Sequence, residues 1–178
     1  MAIEEHVHRL SSAEYERMVD SGALLNLRVE LLDGLLVDMT AQGEPHWRVI
    51  QRLMVLCARR MDFLRVQAPL AVGEGWVPEP DIALAEHDPD PTRRPTTALF
   101  VAEVSVTSQA IDRRKALAYA RAGVARYWLV DLPARVVFAH VEPGDDGYAV
   151  VTRLEGDDVL DAGVEGVETT TVAALLTT

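Results

Sequence analysis

The segment ALFVAEVSVTSQAIDRRKALAYARAGVARYWLVD, residues 98–131, decides the fold. Its first part, 98–105, is apolar except near Glu103, which predicts a central strand covered on both faces. Helical periodicity predicts a helix over 112–122, and 126–130 is typical of another strand. A strand, a helix and a strand within about 30 residues predict a βαβ unit with a right-handed crossover and two parallel strands.

The segments on either side predict further helices and strands. Ser11 followed by Glu14 is a capping box, which predicts a helix over 12–20. Asp33-Gly34 predicts a β-hairpin between residues 29 and 39, and Pro45 opens an amphipathic helix from His46 to about Met61. Shorter strands are predicted at 63–67, 80–85, 136–142 and 148–153, and a short helix at 172–176. We therefore expect an α/β (α+β) fold in which helices flank a mixed central sheet.

Length and composition predict one domain over residues 1–178. The chain is 49% hydrophobic and 25% charged, and a chain of this size can bury a sizeable core without disulfides or a structural metal. Cys57 is the only cysteine, which excludes a disulfide framework and a cysteine-based zinc site. No basic and apolar leader pattern opens the sequence, and no apolar run approaches the ~20 residues of a membrane span. We expect a soluble, cytoplasmic protein with no membrane partner.

The net charge of -11 weighs against nucleic-acid binding, since phosphate contacts normally come from a basic face. The charge is uneven. Residues 144–168 hold eight acids against Arg153 alone, a net of -7, so the rest of the chain carries -4. A bound divalent cation would neutralise some of the acids in the rest of the chain. Phosphate-binding glycine loops, serine nucleophile elbows and His-Glu-x-x-His motifs are absent from the sequence.

Two carboxylates and a lysine are the candidate chemical groups. Strand alternation surrounds Glu103 with apolar neighbours, where an unpaired ionised carboxylate is costly. Asp81 begins a neighbouring short strand and can face the same point. On the predicted helix, Asp112, Lys115 and Tyr119 share one face. If that face packs on the sheet, Lys115 reaches toward Glu103.

These residues allow two interpretations, which spacing alone leaves open. Two carboxylates and a backbone carbonyl suffice for Mg²⁺, which prefers oxygen ligands and keeps several waters. Such an ion activates water and stabilises phosphoryl charge, while a nearby ammonium orients the nucleophile. Arg113 and Arg114 either hold phosphates or form a solvated helix face. The second interpretation is a buried ion pair between Glu103 and Lys115, with Asp81 capping a turn.

With these residues in view, the chain resembles the Uma-type family of restriction endonucleases, within the PD-(D/E)XK nuclease superfamily. The matching segments, in order, are 11–15, 29–34, His46, Pro80-Asp81, 101–105, Lys115, 119–124 and 126–131. The strand Tyr-Trp-Leu-Val-Asp at 127–131 is the most recognisable piece. The match covers about residues 11–155, which we expect to be the nuclease core, followed by an acidic C-terminal extension at 156–178.

The resemblance implies a restriction-endonuclease-like fold and a metal site. Mg²⁺, with Mn²⁺ as a substitute, would be bound by Asp81, Glu103 and the backbone carbonyl of Val104. In the wider superfamily the catalytic lysine stands two residues after the glutamate, where this chain has Ser105. The family pattern implies that the lysine has moved to Lys115 on the helix.

The resemblance also implies accessory residues and a substrate. Glu30 would be an additional catalytic acid, and His46 a residue of the substrate pocket, with Arg113 and Arg114 as candidate phosphate contacts. The predicted activity is Mg²⁺-dependent hydrolysis of phosphodiester bonds in nucleic acid, DNA in the first instance, and the sequence is compatible with a monomer or a homodimer. The alternative is a catalytically silent nuclease fold that serves as a binding or regulatory module.

Overall fold

The computed structural model describes residues 7–39, 42–106 and 109–177, with the backbone alone at 109–110. The sequence-based expectation that no leader pattern opens the chain concerns residues 1–6, which lie outside these ranges. Its elements in chain order are α1 (Ser12–Asp20), β1 (Val29–Leu32), β2 (Leu35–Asp38), α2 (Glu44–Leu56), a 3-10 helix (Ala58–Phe63), β3 (Leu64–Val66), β4 (Ile82–Leu84), β5 (Phe100–Ser105), α3 (Gln109–Arg121), β6 (Arg126–Asp131), β7 (Val136–Gly144), β8 (Gly147–Glu155), β9 (Val159–Leu160), β10 (Thr170–Thr171) and α4 (Val172–Leu175). None of the described helices combines the length and the apolar character that a membrane crossing requires.

A six-stranded mixed sheet organises the molecule, in the order β3-β4-β5-β6-β7-β8. Strands β5 and β6 are parallel, with Glu103 beside Leu129, and the remaining pairs are antiparallel. Helix α3 connects the two parallel strands. All six residues of β5 are buried, as expected for a strand covered on both faces. The predicted βαβ unit and mixed sheet are confirmed.

One face of this sheet is covered by α2 and α4. The buried cluster on this face includes Ile50 and Leu53 of α2 and Leu175 of α4, packed on Phe100 and Trp128. The rings of Phe100 and Trp128 meet edge to face, with centroids 4.9 Å apart, a geometry that aromatic pairs favour. This face is a continuous apolar core.

The opposite face is covered by α3. Alternation along the strands turns Val101 and Tyr127 to this side, where they pack with Ala118 and Tyr119 of the helix. Because Glu103 lies two residues after Val101, it faces α3 as well. The sheet thus separates Glu103, the candidate site residue of the central strand, from the apolar cluster under α2 and α4.

The N-terminal elements form a third cluster, which includes Tyr15, Leu31 and Val77. The capping box of α1 is present as predicted. The predicted hairpin is present too, and its turn places Asp33 and Gly34 at positive φ. A β-carbon at Gly34 would lie 2.6 Å from the side chain of Arg9, so this turn requires glycine. The backbone N–H of Val77 donates to the Leu31 carbonyl at 2.8 Å, which fixes the hairpin beside the segment before β4.

Helix α2 ends earlier than its sequence pattern predicts, at Leu56 rather than about Met61. To continue the helix, the N–H of Arg60 would have to donate to the Leu56 carbonyl. That carbonyl instead accepts from the backbone N–H of Glu168 at 2.9 Å, and the Arg60 N–H donates to Cys57 at 2.8 Å. A contact from the distant C-terminal segment therefore tightens the end of the helix into a 3-10 turn.

The acidic C-terminal segment adds apolar residues to the core between the sheet and α2. These residues are Leu160, Ala162, Val172, Leu175 and Leu176. Its charged residues lie on the exposed side of the segment. The division of the single domain into a core at 11–155 and an extension at 156–178 stays a prediction.

Candidate active site

A cavity of about 280 Å³ opens on the α3 side of the sheet. It lies between the β1–β2 hairpin, the start of α2, the ends of β4 and β5, and the first turns of α3. The polar residues that line it are Glu30, Asp38, Gln42, His46, Glu79, Asp81, Glu103, Ser105, Asp112 and Lys115. The structure thus brings together the predicted residues of five separate segments at one point.

Lys115 occupies the middle of this group and is the only lysine of the chain. Its Nζ lies 2.9 Å from Glu30 Oε2 and 3.1 Å from Glu103 Oε1, and the residue is 6% exposed. Burial lowers the pKa of Lys115, but the charges of Glu103 and Glu30 outweigh it and hold the pKa above the ordinary lysine value. Lys115 is therefore an ammonium group at neutral pH.

Glu103 is the most strongly perturbed acid of the cavity. Its Oε1 accepts hydrogen bonds from Lys115 Nζ and from the Tyr119 hydroxyl at 2.7 Å. Burial raises the pKa of Glu103 to about 8, with the charges of Asp81 and Glu30 adding to the rise and Lys115 opposing it. The carboxyl therefore ionises near pH 8 unless additional positive charge lowers its pKa, and its contact with Lys115 is an ion pair once it has ionised.

Asp81 has hydrogen-bond partners at both carboxylate oxygens. Oδ2 accepts from the Val104 backbone N–H at 2.8 Å and lies 3.1 Å from His46 Nε2. Oδ1 accepts from the side-chain amides of Gln67 and Gln42, at 3.3 and 3.4 Å. The Val104 bond crosses from β4 to β5, so Asp81 ties the two strands together rather than capping a turn.

Negative charge exceeds positive charge around the cavity. Among the described residues that line it are six acids, against Lys115 as the only lysine or arginine. Burial raises the pKa of Asp112, while a hydrogen bond with Ser105 and the charge of Lys115 oppose the rise. Asp112 Oδ2 is buried and has no hydrogen-bond partner among the described residues. An added cation would stabilise this group of acids in their ionised forms.

The donor set fits a hard divalent cation that keeps much of its water. Asp81 and Glu103 supply carboxylate oxygens from neighbouring strands, and Val104 lies in the cavity wall between them. Within residues 7–39, 42–106 and 109–177, no three or more His, Cys, Asp or Glu side chains form a ready-made metal cluster. A cation held here would complete its coordination with water and backbone oxygen, as Mg²⁺ commonly does.

Two predicted phosphate contacts lie outside this cavity. Arg113 and Arg114 are exposed and are not among its lining residues. Arg114 Nη2 lies 2.9 Å from Asp33 Oδ2, which also accepts from Arg9 at 2.9 Å. These two ion pairs connect α3 and the N-terminal segment to the turn of the hairpin. Phosphate binding by Arg113 and Arg114 stays a prediction.

Three further residues contact the candidate site although the sequence does not predict them there: Glu79, Gln67 and Gln42. The Glu79 backbone N–H donates to Glu30 Oε2 at 3.1 Å. Strand alternation from Asp81 back to Glu79 was an available signal, since residues two apart share a face. Gln67 has a positive φ of 46°, and its backbone N–H donates to the Asp81 carbonyl at 3.1 Å. Nothing in the local sequence signals that contact.

Comparison with known proteins agrees with this architecture. The model of the Uma2 family, described as "Putative restriction endonuclease", matches residues 12–173. Among solved structures, a putative nuclease belonging to DUF820 from Anabaena variabilis aligns with a TM-score of 0.69. The alignment covers 84% of this chain and 89% of that one at 12% identity, so it shows a shared fold. The curated proteins contain no match.

The family match spans the elements from α1 to β10. This range includes all the elements that build the cavity. The resemblance seen in the sequence is therefore confirmed, as is the predicted fold class. The chain belongs to the Uma2 family.

Proposed function

We propose that this chain is a Mg²⁺-dependent endonuclease that hydrolyses phosphodiester bonds of DNA. The observation that carries the proposal is the meeting of Asp81, Glu103 and Lys115 in one buried cavity. Family membership supports a nuclease, and so does the fold shared with the Anabaena protein. The excess of acids around the cavity supports a divalent cation, which would neutralise them before a phosphate approaches.

Asp81 and Glu103, with the carbonyl of Val104, would hold Mg²⁺ or Mn²⁺. When bound, such an ion makes a water molecule more acidic and stabilises the charge that develops on phosphoryl oxygens. His46, Gln42 and the Val104 N–H hold the Asp81 carboxylate in one orientation. A fixed carboxylate reduces the reorganisation that cation and substrate binding would otherwise require.

Lys115 is the group that would act on the substrate directly. An ammonium has three donors, and the contacts with Glu30 and Glu103 account for two of them. The third can donate to an attacking water or to a phosphoryl oxygen, and its charge favours the transition state. Glu30 assists by holding the ammonium in place, and it is held in turn by the Glu79 backbone N–H.

Cleavage of supercoiled plasmid DNA and of circular single-stranded DNA, each in the presence of Mg²⁺, tests the proposal. We expect Glu103→Gln, which preserves the size of the side chain, to reduce the cleavage rate by about 100-fold or more. Glu155→Gln is the matched control, because Glu155 is an exposed acid on β8, 59% exposed at its side chain. Cleavage by a folded Glu103→Gln variant at the rate of the control would refute the assignment.

A catalytically silent nuclease fold is the second candidate. Its specific support is that Lys115 already forms ion pairs with Glu30 and Glu103, in a structure whose described residues contain no three-ligand metal cluster. Titration calorimetry with Mg²⁺ and Mn²⁺ separates the candidates. The nuclease binds the ion and loses it on Asp81→Ala, whereas the silent module gives no heat that depends on Asp81.

A further inference from the structure

An exposed tryptophan stands beside the mouth of the cavity. Trp47 is 43% exposed and directly follows His46, which lines the cavity. Its backbone N–H donates to the carbonyl of Gly43 at 3.2 Å, so the two residues lie one above the other on the same side of α2. Gly43 lines the cavity too. Trp47 is not itself a lining residue, so it stands outside the cavity, next to the part of the wall that His46 and Gly43 form.

The packing of α2 does not require an indole at this position. The helix buries His46, Val49, Ile50 and Leu53 on its inner side, and among the described residues Trp47 has no ring partner or cation-π contact. Val106, 46% exposed, adds a second apolar surface to the cavity wall. An open aromatic face at the mouth of an acidic cavity is suited to a flat, apolar ligand group.

The distribution of charge argues against a double-stranded substrate held by its phosphates. Tight duplex binding needs several lysines or arginines on one face, whereas this chain has a net charge of -11. Arg114 and Arg9, the arginines tied to the hairpin turn, are both engaged by Asp33. Base stacking on an aromatic ring contributes binding free energy without basic residues, and it requires an unpaired base.

The depth of the candidate catalytic groups also favours an unpaired strand over a duplex. Asp81 and Glu103 are 4% and 6% exposed, at the base of a cavity of about 280 Å³. Such a cavity has room for one phosphodiester group and its nearest atoms, and a flexible unpaired strand can bring a phosphate to its base more readily than a stiff duplex can. A base adjacent to that phosphate then meets the rim, where Trp47 stands.

We propose that the substrate is single-stranded nucleic acid, or an unpaired strand within a duplex, with one nucleobase stacked on the indole of Trp47. This inference rests on the proposed nuclease function and names the substrate class of the same site. Trp47 is a substrate-binding residue in this proposal, and it has no part in the chemistry at Asp81, Glu103 and Lys115.

Fluorescence anisotropy with the full chain tests the proposal, with Ca²⁺ in place of Mg²⁺ to follow binding without turnover. The probes are a labelled oligothymidylate, an abasic deoxyribose phosphate strand of the same length and a duplex. We expect the oligothymidylate to bind more tightly than the duplex and the abasic strand. Trp47→Ala should weaken oligothymidylate binding by about fivefold or more, Trp47→Phe should restore much of it, and the abasic strand should bind both variants equally.

Val55→Ala is the matched control, because Val55 is an apolar residue on the same helix, 66% exposed. Equal binding of oligothymidylate and duplex, or unchanged oligothymidylate binding by Trp47→Ala, would overturn the proposal. Equal loss on the abasic strand would overturn the stacking contact. Binding does not depend on turnover, so these outcomes are independent of the Glu103→Gln cleavage test.

Discussion

The two faces of strand β5 differ in chemistry although they come from six consecutive residues. Toward α2 and α4 the strand presents Phe100 and Ala102 to an apolar cluster. Toward α3 it presents Val101 and then Glu103, whose carboxylate meets Lys115 and Tyr119. Apolar packing on the first face stabilises the sheet strongly enough to tolerate the buried charges of the second. Substitutions on the apolar face should therefore change stability without changing the candidate chemistry.

The largest effect on stability is expected on the apolar face. Phe100→Ala would leave a cavity beside Trp128 and remove the edge-to-face ring contact, which should lower the free energy of unfolding by about 3–5 kcal/mol. Urea denaturation followed by circular dichroism measures this loss. At temperatures where the variant stays folded, its Mg²⁺ affinity should equal that of the wild type, and a parallel loss of Mg²⁺ affinity would show that the faces are coupled.

Removing the ammonium from the polar face should have the next largest effect. Lys115→Met leaves Glu30 and Glu103 buried without their cation, which should destabilise the protein by about 3 kcal/mol at pH 8. The loss should diminish near pH 5, because carboxyls without a cationic partner accept protons as the pH falls. A loss that is the same at both pH values would show that packing of the side chain, rather than its charge, is responsible.

The raised pKa of Glu103 predicts a dependence of stability on pH in metal-free buffer. The pKa is about 8 in the folded chain against 4.5 for the ordinary group, so between these values the folded state binds more protons than the unfolded state. Stability contributed by the protonated carboxyl is complete below pH 4.5 and is lost as the pH rises toward 8. Glu103→Gln cannot ionise, so its stability relative to wild type should increase by about 2–3 kcal/mol from pH 5 to pH 7.

Thermal unfolding of both proteins in EDTA, at several pH values, gives this comparison. A constant difference between the two proteins across the pH range would contradict it. Addition of Mg²⁺ should then raise the wild-type Tm and leave that of Glu103→Gln unchanged, because ligand binding to the folded state alone stabilises it.

The smallest effect is expected from a single hydroxyl. Tyr119→Phe removes the donor to Glu103 Oε1 and keeps the ring in the apolar cluster beneath α3. It should cost about 1 kcal/mol and raise the pKa of Glu103 further, since this hydrogen bond favours the ionised carboxyl. The loss of stability that accompanies ionisation of Glu103 should therefore occur at a higher pH in this variant than in the wild type. If it occurs at the same pH, the Tyr119 hydroxyl does not affect the pKa of Glu103.

Local signals predicted most of the fold. The capping box of α1, the Asp33-Gly34 turn and the βαβ unit each depend on residues close together in the chain, and each was predicted from the sequence. The end of α2 was not, because a backbone contact from Glu168 decides it. Such a contact arises only after the C-terminal segment has packed on the helix.

The site was predictable to the same extent and for the same reason. Asp81, Glu103 and Lys115 carry strand and helix periodicities that direct them to one point, whereas Gln67 reaches Asp81 through an unusual backbone conformation at a strand end. Arg114 is an exposed arginine in the sequence pattern, and only the tertiary structure supplies Asp33 as its partner.

The single lysine gives the molecule a built-in reporter. All other basic side chains of the chain apart from histidine are arginines, so amine-directed acylation of the folded protein has one side-chain target, 6% exposed at the floor of the cavity. The rate at which a small anhydride modifies Lys115 therefore reports the frequency of cavity opening. Amide hydrogen exchange reports local unfolding in the same way. Protection of that side chain by a nucleotide or a cation could be followed by peptide mass spectrometry, which separates Lys115 from any α-amino group.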